Sequence, residues 1–67
     1  MSTIATNGEI TMMMDFSNIE IHNINKEMLS FILERNIEYT TSEDTVVIPL
    51  PIQGRDLSKL MKIIRCA

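Results

Sequence analysis

The stretch Ile37–Ala67, IEYTTSEDTVVIPLPIQGRDLSKLMKIIRCA, reads as strand, tight turn, strand, short link and amphipathic helix. Ile37, Tyr39 and Thr41 alternate with Glu38 and Thr40, the period of a half-buried strand. Ser42-Glu43-Asp44 supplies turn chemistry, because short polar side chains bond their own backbone. In Thr45–Leu50, Val46, Ile48 and Leu50 share one face. Pro49 lacks an N–H, so the strand is a sheet edge there or ends there. From Leu57 the apolar residues fall at Leu57, Leu60, Met61 and Ile64, the spacing of one helical face. Asp56 in the first turn and Lys62 and Arg65 in the last turns suit the helix dipole. A helix from about Arg55 to Arg65 is therefore expected to pack on the sheet face carrying Val46, Ile48 and Leu50.

Upstream, Asn23-Ile24-Asn25 leads into a second helix, with Asn25 as N-cap and Glu27 in the first turn. Met28, Leu29, Phe31, Ile32 and Leu33 make an apolar face too wide for one contact surface. Asn36 ends this helix in the left-handed conformation. Before it, Glu9–Phe16 reads as a strand with Ile10, Met12, Met14 and Phe16 on one face; a short helix over Met12–Met14 is the competing reading. Ile19 and Ile21 fall on the opposite parity, so a turn or bulge at Ser17-Asn18 is expected to restore the register. Asn7-Gly8 between β-prone runs is a type I′ hairpin signal, with a disordered tail over residues 1–8 as the alternative.

The expected architecture is α+β: a small two-layer domain with an antiparallel sheet of three to five strands and two α-helices, in the order β(β)βαββα. The 67 residues make a single domain, 1–67. A chain this short buries only about 60% of the surface that its unfolded form exposes. It has one cysteine and one histidine, so neither an internal disulfide nor a structural zinc site is expected to staple it. Self-association or unusually good packing is the remaining means of stabilisation. With an unpaired cysteine and no signal-peptide pattern at its start, a cytoplasmic location is expected.

The net charge of −3 hides an asymmetry. Residues 1–54 carry eight acids and two bases, whereas 55–67 carry four bases and one acid. At about 100° per residue, Arg55, Lys59 and Lys62 occupy a narrow helical sector opposite Leu57 and Ile64, with Arg65 nearer the boundary. Like charges at this spacing repel, and no acid on the same helical face relieves them. The stripe is read as a site for an anionic group, an acidic protein surface or a phosphate; the alternative is an ordinary solvated face.

Met13 must be exposed or meet a partner, because neighbouring strand residues point to opposite faces. Met13, Met28, Phe31 and Leu33 are the candidate self-association residues. His22 and Cys66 lack the oriented third group and oxyanion donors that a nucleophilic pair needs. Gly54 alone is too weak a sign of phosphate binding at a helix start. No catalytic residue, metal or cofactor is expected. The functional expectation is a non-enzymatic stoichiometric regulator or inhibitor of a macromolecular partner, working as a homodimer. The alternatives are a nucleic-acid-binding regulator using the C-terminal helix and a nucleotide-sequestering protein.

Overall fold

A computed structural model describes residues 2–66. The elements are β1 (Ser2–Asn7), β2 (Ile10–Met14), β3 (Asn18–His22), α1 (Lys26–Glu34), β4 (Thr40–Ser42), β5 (Thr45–Pro49) and α2 (Gly54–Cys66). They form one five-stranded sheet in the order β1-β2-β3-β5-β4, with every neighbouring pair antiparallel. This is the expected small α+β domain, with the optional first strand present.

Register sorts the side chains into two faces. Met12, Ile21 and Val46 stand opposite one another across β2, β3 and β5, and Met14, Ile19 and Ile48 form the next row. Met28 and Ile32 of α1 and Leu60, Ile63 and Ile64 of α2 join Met12, Ile19, Ile21, Val46 and Ile48 in one buried core. Both helices therefore cover the same face. The other face carries the rows Thr11–His22–Thr45–Ser42 and Met13–Glu20–Val47–Thr40 and has no covering layer among the described residues.

The turns follow local chemistry. Asn7 pairs with Ile10 across a two-residue turn, Gly8-Glu9. Only Gly8 has positive φ, at 63°, so the turn has the type II′ pattern, with glycine first, and not the expected I′ pattern centred on Asn-Gly. Asn7 instead turns inward, its Nδ2 donating to the Ile64 carbonyl at 2.8 Å. That bond ties the first hairpin to the end of α2, which rules out a free tail over residues 2–8. A bulge at Ile4 interrupts the β1–β2 register between Thr3 and Ala5.

The parity conflict between β2 and β3 is resolved at Asp15–Asn18. The Asp15 carboxylate accepts the Ser17 and Asn18 N–H groups at 2.8 and 2.9 Å, while the Asp15 N–H donates to the Asn18 carbonyl. β2 stops at Met14 as a result, and Phe16 sits at the turn tip, fully exposed. The expectation that Phe16 shares the core face of β2 is thereby corrected. Methionines 12–14 are strand residues, not a helix.

Helix α1 has the expected caps. Asn25 Oδ1 accepts the Met28 N–H at 2.8 Å. At the far end Asn36 has φ 55°, its N–H donates to the Leu33 carbonyl, and the Ile37 N–H donates to the Ile32 carbonyl. This is a Schellman arrangement. It also explains why the following strand begins at Thr40 and not at Ile37. The Ile37 N–H is committed to the helix end, and Ile37 and Tyr39 pack on the core from irregular chain.

β5 is interior, between β3 and β4. Its pairing with β4 ends at Val47–Thr40, so Pro49 at its last position leaves no β4 acceptor unmatched. In α2 the buried apolar side chains are Leu60, Ile63 and Ile64, with Asp56 also buried, whereas Leu57 and Met61 are half-buried. The helix is thus rotated relative to the expected Leu57–Leu60–Met61–Ile64 face. It lies along β1 and against α1, because α1 shares the sheet's one covered face.

Candidate functional site: the groove between the helices

The side of α1 that faces α2 presents Glu27, Ser30, Phe31 and Glu34. α2 answers with Arg55, Asp56, Lys59 and Ile63. Between them run two shallow hollows of about 360 and 190 Å³ that share Phe31 and Lys59. Phe31 is half-buried, so part of its ring remains accessible in the groove.

Two of the predicted partner-binding residues, Arg55 and Lys59, line this groove, and both are exposed. Lys62 and Arg65 are also exposed on α2 but line neither hollow. None of the four makes an ion pair or hydrogen bond among the described residues. Their helix carries no relieving acid on that face, but the fold brings Glu27 and Glu34 of α1 to the rim opposite Lys59. The groove is consequently two-signed: cationic at its Arg55 end and acidic along α1.

Asp56 anchors the cationic end. Its side chain is 10% exposed and its Oδ1 accepts from Arg35 Nε at 3.2 Å. Arg35 follows α1 directly, so this charge-assisted bond joins the end of one helix to the start of the other. Sequence spacing gave no sign of it, since the partners are separated by 21 residues.

The predicted self-association residues do not form one surface. Met28 is fully buried in the core, which corrects its assignment to a contact face: with Ile32 it is one of the two α1 side chains that join the core shared with the sheet and α2. Phe31 lies in the groove. Leu33 is 54% exposed and projects from α1 on the side away from Phe31, two residues later on the helix. Met13 is half-buried on the open sheet face beside Glu20.

His22 and Cys66 are kept apart. His22 stands on the open face, its Nδ1 hydrogen-bonded to Thr45 Oγ1 at 3.2 Å and its Nε2 3.6 Å from Glu20 Oε1. Cys66 is an exposed free thiol at the end of α2, on the helical side. Among the described residues no group of three or more His, Cys, Asp and Glu could hold a metal ion. A larger hollow of about 410 Å³ lies between the start of α1 and the β4–β5 turn, and its charged lining residues are the acids Glu43 and Asp44. That lining repels a nucleotide's phosphates. No helix among the described residues is long and apolar enough to cross a membrane.

No protein-family model matches the chain, and neither a curated protein nor a solved structure matches it.

Proposed function

We propose that this protein is a non-enzymatic, stoichiometric regulator or inhibitor that binds a protein partner through the groove between α1 and α2. The observation that carries the reading is the placement of the half-buried Phe31 beside the exposed, unpaired Arg55 and Lys59. A ring with accessible surface is an anchor for apolar side chains, and flanking cations steer and orient carboxylates. The partner segment is acidic and apolar together, of the kind that lays one face of a helix into a groove. Its acids face Arg55 and Lys59, and its apolar residues cover Phe31 and Ile63. Glu27 and Glu34 on the opposite rim disfavour a continuous phosphate backbone, so the nucleic-acid reading ranks below the protein reading. An exposed free thiol at Cys66 suits a reducing compartment, and the cytoplasm is the proposed location.

The test is affinity capture from the native host with the wild type and with the Arg55→Glu/Lys59→Glu double variant as baits, with melting measured in parallel. A protein bound at fixed stoichiometry by the wild type and lost by a folded double variant is the expected result. Equal capture by both baits removes the groove from the function. Salt-dependent retention on heparin, with nucleic acid as the captured species, replaces the protein reading by the nucleic-acid one.

A further inference from the structure

The two edges of the sheet are guarded very differently. β4 is three residues long and is followed by the acidic turn Glu43-Asp44. Short strands and adjacent charges discourage pairing with another chain. β1, the other edge, has six residues, Ser-Thr-Ile-Ala-Thr-Asn, with no charged residue and no proline. Ser2, Thr3 and Thr6 are exposed along it. Its one irregularity is the bulge at Ile4, which limits pairing to short runs on either side.

Helix α2 lies over β1. Its α1-facing side carries Lys59 and Ile63. The helical projection puts Leu57 and Met61, four residues apart, on the other side, above the β1 edge. Both are half-buried and pack on the core. The open edge and this apolar flank therefore form one continuous side of the molecule without acids, bordered by the exposed Arg65 four residues beyond Met61.

We infer that the β1 edge and the Leu57–Met61 flank of α2 are the docking surface for a second copy of this chain, paired antiparallel through β1. A twofold axis normal to the sheet brings the two β1 strands together. It leaves both helix layers on the same side, so that each Leu57–Met61 flank meets its own copy. Such an interface is self-complementary by construction. Charge also selects a copy of the chain here. Molecules of net charge −3 repel one another least where neither carries acids, and β1 with Leu57 and Met61 is such a surface. With Cα extents of 26 × 26 × 24 Å, a whole side of the protein spans on the order of 600 Å², so an interface approaching the ~800 Å² per partner of a standard one must use the full side. Strand pairing shortened by the bulge covers only part of that side, so the α2 flank is required. The guarded β4 edge closes the assembly at two copies, with a ten-stranded sheet, and prevents growth into fibres. This surface is separate from the helix groove, and either can fail without the other.

The test is sedimentation of the full chain from low to high micromolar concentration, for the wild type and for Thr3→Lys/Thr6→Lys, which places like charges across the paired edges. The wild type is expected to be dimeric at the upper end and to dissociate on dilution. The double variant should keep the wild-type circular dichroism and raise the dimer dissociation constant by about tenfold or more. Hydrogen exchange on the wild type gives a second readout that needs no variant: β1 amides should exchange more slowly at high concentration than at low. A wild type that stays monomeric overturns the inference. So does a dimer unaffected by the two lysines, or one whose β1 amides exchange at the same rate at every concentration.

Discussion

Replacing Ile63 and Leu57 by alanine, one at a time, tests how α2 is seated. Period alone puts Leu57 on the buried face and leaves Ile63 off it; the structure makes Ile63 a core residue, 9% exposed, and Leu57 half-buried. Truncating a buried Ile removes its transfer free energy and leaves a cavity that the rigid sheet and α1 fill only partly, a loss of about 2–5 kcal/mol. Leu57 already contacts water and has room to relax, so its truncation should cost about half as much. A domain of 67 residues has about 3–10 kcal/mol in total. Each kcal/mol shifts its Tm by roughly 4–8 °C, so the two variants separate clearly. The assay is urea denaturation followed by circular dichroism, with thermal melts alongside. Leu60→Ala, fully buried in either seating, is the internal standard and should lose as much as Ile63→Ala. A Leu57→Ala variant less stable than Ile63→Ala would refute the seating of the helix, and an unchanged midpoint for Leu60→Ala would refute the packing altogether.

Arg35→Ala strips the buried Asp56 carboxylate of its partner at 3.2 Å; because Arg35 is itself partly exposed, the expected cost is about 1–2 kcal/mol, read from the urea midpoint. The backbone N–H groups of Asn18 and then Ser17 hold the Asp15 carboxyl below its ordinary pKa of 3.8. A depressed folded pKa contributes stability that is present above the ordinary value and lost as pH falls through the folded one. The stability difference between wild type and Asp15→Ala should therefore be constant near neutrality and shrink in urea titrations below that value. Glu43 has φ 53° at the first central position of the β4–β5 turn, where an L side chain costs roughly 1–2 kcal/mol. Glu43→Gly relieves that strain against a chain-entropy cost of about 0.5–1 kcal/mol, so a thermal melt should show a Tm unchanged to a few degrees higher.

The fold was legible where local chemistry and periodicity agreed. Asn25 and Asn36 marked both ends of α1 because capping depends on a side chain within three residues or on the left-handed tolerance of asparagine. The opposite parities of Met12 and Ile21 demanded a turn between β2 and β3. They did not say that Asp15 would nucleate it two residues early and leave Phe16 outside. The seating of α2 was illegible because Leu57, Met61 and Ile63 are equally apolar in sequence. Only the neighbouring α1, which supplies Phe31 beside Ile63, decides which of them is inside. The same limit applied to the site. The charges of Arg55 and Lys59 were visible as a helical stripe. Their relation to Phe31, Glu27 and Glu34 depends on the packing of two helices joined through β4 and β5, and no pattern within either helix encodes it. Met28 was placed at a surface because α1's apolar face is wide, yet that width is divided between the sheet, α2 and solvent.

The groove is tested most directly by amide chemical-shift mapping of the labelled protein as its captured partner is added. The account predicts that the largest perturbations fall along α1 and α2 around Phe31, Arg55 and Lys59, while Met13, Glu20 and Val47 on the open sheet face stay unmoved. Perturbations concentrated on that sheet face, with the helix groove unchanged, would contradict it.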